Sequence, residues 1–214
     1  MNFSKFKILK YYLFLCFTSL IINNCSKNSY SSFDDQFTDF SKLFNFKQEW
    51  YLSHEAIRIA NNFLLFQHSS GGWPKNIDMT KKFSEDDVNL IKQIQSNNIE
   101  HPINYITIDN GATYSQMRYL KIMFQTNGDK RFKKSFISGL DYLLNSQYKN
   151  GGWPQCFPLQ NGYQDNITFN DGAMIGVIEL LNDISYADID LVDSVRLYKS
   201  FNALDKGLQL ILRT

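Results

Sequence analysis

The sequence Gly-Gly-Trp-Pro occurs twice, at residues 71–74 and 151–154, each time separated by three residues from a glutamine, Gln67 or Gln147, that closes a helix-like segment. A second echo follows each copy: Asp109-Asn110-Gly111-Ala112 and Asn170-Asp171-Gly172-Ala173. The unit is therefore an aromatic loop followed by an amide and carboxylate pair that opens a helix. Repeats of this kind build folds from stacked helical pairs, because one unit alone cannot bury its apolar face.

Hydrophobic spacing agrees. Ser53 is placed to cap a helix whose apolar positions Ala56, Ile57, Ala60, Phe63 and Leu64 recur at helical period up to Gln67. From Gly111 onward, Ala112, Gln116, Tyr119, Leu120 and Met123 share a face, and Asn127-Gly128 supplies a left-handed stop. Phe132, Phe136, Leu140, Leu143 and Leu144 form the next stripe, and Met174, Val177, Ile178, Leu181 and Ile184 another. Leu197, Phe201, Leu204, Leu208 and Ile211 form the last.

Residues 75–106 are polar and weakly patterned, which predicts a long loop with one short helix at 85–95; loops of that length are usually functional. Strand-like alternation is nearly absent. The expected fold is all-α, an incomplete α/α toroid of antiparallel helix pairs with long functional loops at one end. Residues 207–214 parallel 139–146, and Ser146 is followed by the repeat's Gln147, so the chain reads as stopping within a repeat, with the C-terminal part of the toroid missing.

Three segments are expected. Residues 1–25 read as an export signal, because Lys5, Lys7 and Lys10 precede an apolar run at 11–22 that is too short to span a bilayer comfortably. Cys25 follows that run and leads a polar stretch, an arrangement that resembles a bacterial lipoprotein signal with the cysteine lipidated, although Asn24 departs from the usual small residue. Residues 26–50 form a polar tether and lead-in, and 51–214 the toroid domain. The protein is expected to be secreted, periplasmic or associated with an outer membrane through Cys25. With 22 basic and 21 acidic residues and no long run of one sign, the chain lacks the basic footprint of a nucleic-acid binder. Cys156 stands alone in the mature chain, which excludes a disulfide framework.

Two readings compete at the repeated motifs. The glycines permit tight turns and Trp73 and Trp153 plug the gaps between helix pairs; or the tryptophans line a groove for sugar rings, with Lys75 and Asn76 contacting anionic groups. Likewise Asp109, Asn110, Asn170 and Asp171 suit helix capping. Equivalent pairs in two repeats nevertheless bring several oxygen donors to one spot, and hard donors suit Ca²⁺ far better than zinc. His54, His68 and His101 have no spacing of a transition-metal site, and no phosphate loop or nucleophile elbow is present.

Residues 71–76 (Gly-Gly-Trp-Pro-Lys-Asn), 107–113 (Thr-Ile-Asp-Asn-Gly-Ala-Thr), 151–155 (Gly-Gly-Trp-Pro-Gln) and 162–174, from Gly162-Tyr163 to Asn-Asp-Gly-Ala-Met, together resemble the family 10 polysaccharide lyases, which are pectate lyases. The similarity runs from about Ser53 to the C-terminus. It implies an α/α toroid that cleaves polygalacturonate by Ca²⁺-dependent β-elimination, acting as a monomer. Asp109 and Asp171 would be catalytic, and together with Asn110 would hold the metal. Trp73, Lys75, Asn76, Asn110, Trp153, Tyr163 and Asn170 would bind substrate. In the family the proton is abstracted by an arginine well downstream of the Asp171 motif, and neither Arg196 nor Arg213 matches it. A chain without that base is expected to have little or no activity.

Two other functions fit some of the same residues. A surface lipoprotein could hold acidic polysaccharide through Trp73, Trp153 and Lys75 without cutting it. The glutamine and tryptophan loops also resemble those of triterpene cyclases, another α/α toroid class, but the acid-rich protonation motif of those enzymes is absent.

Overall fold

The computed structural model describes residues 40–186 and 190–213. The proposed signal, Cys25 and most of the tether lie outside them. Six α-helices organise this part: α1 (His54–Phe66), α2 (Glu85–Ser96), α3 (Tyr114–Asn127), α4 (Lys130–Ser146), α5 (Ala173–Ser185) and α6 (Ser194–Ile211).

Local chemistry accounts for most of their ends. Ser53 accepts the Ala56 N–H at the start of α1. Ser84 and Asp87 form a capping box on α2. Gly128, at φ 72°, ends α3 in the left-handed region, and Asp129 then accepts the Arg131 N–H to begin α4. The turn between them is too short for anything but an antiparallel hairpin. Helices α3 and α4 pack as one pair and α5 and α6 as the next; α1 lies against α3 and α4, while α3 meets α5 and α4 meets α6. Stacked hairpins of this kind are the expected toroid architecture. The structure is mostly helical.

The core follows the predicted stripes through α5: Phe63, Phe132, Phe136, Leu140, Leu143, Met174, Val177, Leu181 and Ile184 are fully buried. The stripe predicted on α6 is not the one that packs. Of its members only Leu204 is buried, Phe201 and Leu208 are 60% and 43% exposed, and α6 also buries Ser200, Ala203 and Gly207, which the stripe did not include. The second Gly-Gly-Trp-Pro loop presses so closely on α6 that only small residues fit: a methyl group on Gly207 would come within 2.9 Å of the Trp153 ring.

The folded part also reaches back beyond the boundary expected at residue 51. Turns at Phe40–Phe44 and Gln48–Leu52 pack on α3. Phe40 and Leu43 are buried there, and the Tyr51 hydroxyl donates to the Leu43 carbonyl at 2.8 Å.

One small sheet is present among the described residues. Strand β1 (Trp73–Pro74) pairs antiparallel with β2 (Ile106–Thr107), Trp73 opposite Thr107. Isolated bridges add Thr107 to Cys156 and Pro154 to Ile167. These pairings gather the loops of both repeats at one end of the helices.

Candidate active site

Both repeats build their loops with the same bonds. Gln67 Nε2 donates to the carbonyls of Gly71 and Ser135, and Gln147 Nε2 to those of Gly151 and Ala203. Each glutamine thus closes its own loop and fastens it to a helix of the following hairpin. The indole N–H of Trp73 donates to the Phe63 carbonyl at 2.7 Å, and that of Trp153 to the Leu143 carbonyl at 2.8 Å. Both tryptophans are 0% exposed. Neither ring face is open to a sugar, so the groove-lining expectation gives way to the plug: the tryptophans support the site from below.

Just beyond β1 the chain comes to the surface at Lys75 and Asn76, both half-buried. Across from them, β2 delivers Asp109 and Asn110. Lys75 Nζ lies 2.5 Å from Asp109 Oδ2, and Asn110 Nδ2 donates to Asn76 Oδ1 at 3.0 Å. Asp109 is only 4% exposed, and its Oδ1 is buried with no hydrogen-bond partner. A buried carboxylate oxygen left unpaired is costly, which makes it a candidate point of contact for a ligand.

The capping reading fails here. The helices that follow the two turns have Thr113 and Gly172 at their N-caps, with no side-chain cap hydrogen bond, and Asp109 and Asn110 bond to Lys75 and Asn76. Instead Asn110 and Asp171 adopt φ 50° and 52°, a left-handed conformation that short polar side chains tolerate. The two turns pack against each other, so the structure brings the Asp109 and Asp171 segments together. Asn170 and Asp171 are exposed, as is Tyr163 at 72%.

The electrostatics follow from this packing. Burial opposes the Lys75 ammonium, but the hydrogen bond and charge of Asp109, with smaller help from Tyr163 and Cys156, raise its pKa above the ordinary lysine value. Lys75 is therefore a fixed cation. Burial pushes the Cys156 thiol up, outweighing the Thr107 hydrogen bond and the Lys75 charge, so Cys156 is a poor nucleophile. The site offers a cation, an unpaired carboxylate oxygen and several amides, which suits an anionic, hydroxyl-rich ligand.

The sequence profile of the pectic acid lyases matches residues 67–214. The chain belongs to the pectic acid lyase family. A family 10 polysaccharide lyase from Cellvibrio cellulosa shares the fold with TM-score 0.62 and 26% identity over 83% of this chain. A mutant of such an enzyme from the same organism, in complex with trigalacturonic acid, aligns with TM-score 0.60 and 26% identity over 78% of it. This pectic acid lyase family member spans 50% and 49% of the length of those two proteins. No curated protein matches it.

Sequence reasoning about this pectic acid lyase relative overlooked the residues that hold the site together. The Thr107 hydroxyl accepts the Asp109 N–H at 3.0 Å and donates to the Gln155 carbonyl at 2.6 Å, tying the first turn to the second loop. Tyr114, buried between the two turns, packs its ring on Gly176, and a methyl group on Gly172 would lie 3.3 Å from its hydroxyl. A signal did exist: Thr107 and Thr113 are the two ends of the segment that carried the resemblance.

Proposed function

We propose that this protein binds polygalacturonate at the Lys75–Asp109 site and belongs to the machinery that cleaves it by Ca²⁺-dependent β-elimination. One observation carries the reading: a buried carboxylate with an unpaired oxygen sits beside a fixed ammonium, in a chain of the pectic acid lyase family. In the reaction the carbon next to a uronate carboxylate loses a proton, the bond from the β-carbon to the glycosidic oxygen breaks, and a carbon–carbon double bond forms. The Lys75 ammonium attracts the uronate carboxylate. Asn76, Asn110 and Asn170 present amides to sugar hydroxyls, and the exposed Tyr163 ring offers a face to a pyranose.

Asp109, Asn110 and Asp171 supply hard oxygen donors of the kind Ca²⁺ prefers, and the unpaired Asp109 Oδ1 fits that role. Among the described residues no three acidic, histidine or cysteine side chains converge. Ca²⁺ takes about six to eight oxygens, and uronate oxygens would join those of the three side chains around it. Ca²⁺ bound there would neutralise the substrate carboxylate and favour loss of the adjacent proton.

The arginines are engaged elsewhere. Arg196 is held by Asp141 and Asp193, Arg213 by Gln209, Arg118 by Glu179, Arg131 by Asp129 and Arg58 by Glu55. We assign proton abstraction to none of them. A second reading is that these residues hold acidic polysaccharide without themselves cutting it, through the Lys75 cation and the neighbouring amides.

Polygalacturonate incubated with the protein and Ca²⁺ separates the two. Ultraviolet absorbance from unsaturated product, abolished by chelation and by Asp109→Ala, is expected of the lyase. Calorimetric binding of trigalacturonate without that absorbance would select the binder, and neither signal would sink both. The lysine-flanked apolar run near the N-terminus supports export, so we place the protein outside the cytoplasm; an intact N-terminus on cytosolic protein would contradict this.

A further inference from the structure

Thr113 begins α3 with φ 68° and ψ −63°, and the Tyr114 N–H donates to the Ala112 carbonyl across it at 2.9 Å. This is a γ-turn with positive central φ, a rare and strained shape, and a β-branched residue is among the least suited to it. The repeat does not impose the turn. At the matching point of the second copy, Met174 lies inside α5, which has already begun at Ala173 with φ −50° and ψ −68°.

What the first copy gains is the place of one hydroxyl. Thr113 is fully buried. Its Oγ1 accepts the Trp73 N–H at 3.0 Å and donates to the Thr107 carbonyl at 2.8 Å. Trp73 and Thr107 are partners across β1 and β2. Lys75 lies two residues beyond Trp73, and Asp109 two beyond Thr107. A single hydroxyl therefore sits between the two strands that deliver the two halves of the ion pair.

We infer that Thr113 is a positioning residue: its strained turn holds the hydroxyl between Trp73 and Thr107 and thereby sets Lys75 against Asp109. The functional consequence rests on the lyase reading above, whereas the placement is measurable with no substrate. Misplacing a reacting group by about 1 Å costs roughly 100-fold in rate, so a turn that fixes both partners is worth its strain.

Glycine and serine separate this role from a merely structural one. Gly adopts a positive-φ turn at least cost but has no hydroxyl; Ser keeps the hydroxyl. In the full chain, Thr113→Ser and Thr113→Gly are compared with the wild type by amide hydrogen exchange at Trp73 and by the ¹⁵N signal of the Lys75 ammonium. We expect the Ser variant to match the wild type. The Gly variant should exchange the Trp73 amide about fivefold faster or more and lose the slowly exchanging ammonium signal, even if it is the more stable protein.

On polygalacturonate with Ca²⁺, the Gly variant should lose about 10- to 100-fold in kcat/KM, and the Ser variant should restore it. A Gly variant that keeps wild-type exchange and ammonium signals overturns the inference, as does a Ser variant that loses them. If the wild type itself neither binds nor cleaves galacturonate, the lyase reading falls while the exchange and ammonium measurements still decide the role of Thr113.

Discussion

Lys75 Nζ lies 2.5 Å from Asp109 Oδ2, and the two side chains differ in exposure, 38% for the lysine and 6% for the aspartate. Removing the lysine strands a buried charge, whereas removing both charges leaves a neutral pair. Lys75→Met is therefore expected to cost about 1–3 kcal/mol, less than a fully buried pair because water still reaches the lysine. Adding Asp109→Asn should recover part of that loss. Urea denaturation of the two single variants and the double variant measures the coupling, and strict additivity would mean that the pair is not formed.

Trp153→Phe and Trp73→Phe should each lower stability by about 1–3 kcal/mol, because each removes the indole hydrogen bond to the carbonyl of Leu143 or Phe63 and leaves a void where the larger ring was packed. Trigalacturonate affinity should stay close to the wild type in any variant that remains folded. A large loss of affinity with unchanged stability would restore the stacking role that the burial of both rings excludes.

The opposite split is expected for Tyr163, which is 72% exposed. Tyr163→Ala should leave stability within about 0.5 kcal/mol of the wild type and weaken trigalacturonate binding several-fold. Thermal unfolding and calorimetry on the same sample check both halves.

Gly71 and Gly151 have φ 103° and 98°, and a methyl group on either would collide with the carbonyl of Ser138 or Lys206. Alanine at either position should cost about 3 kcal/mol or more, from backbone strain and overpacking together. Gly128 is the control: its φ is 72° but nothing lies within 4 Å of the added carbon, so Gly128→Ala should cost only about 1–2 kcal/mol. Equal costs at all three would show that the loops are less closely packed than the structure has them.

His68 and His101 each accept a backbone N–H at Nδ1, from Ser70 and Ile103, and burial lowers both pKa values below the ordinary 6.5. As pH falls below 6.5 the unfolded chain takes up protons that the folded chain refuses. The stabilising contribution is thus complete above that value and is lost as pH falls through the depressed folded pKa values. Urea midpoints should decline between about pH 7.5 and 5, and more gently when His68→Gln and His101→Gln are combined.

Helices were legible in the sequence because their determinants are local. The apolar stripes of α1, α3, α4 and α5, the Ser53 cap and the Gly128 stop all depend on residues within a few turns of one another, and most of the stripe residues are buried, with Ile57, Leu64 and Leu144 at the margins. The repeat also made the stacking of hairpins legible, since each copy must cover the next. The family showed in four separated segments whose order and composition survive without coordinates.

Tertiary contact decided the rest. Whether Trp73 faces sugar or core depends on Gly139 across the hairpin, where a methyl group would meet the ring at 3.0 Å. Sequence periodicity on α6 pointed to Phe201 and Leu208, but the approach of the second loop selected Ala203 and Gly207. Asp109 has the composition of a cap, and it became a buried partner of Lys75 only because β1 and β2 pair and Thr113 bridges them. The Lys75–Asp109 and Trp73–Thr113 contacts join residues 34 and 40 positions apart, a separation over which neither helical period nor capping preference carries information.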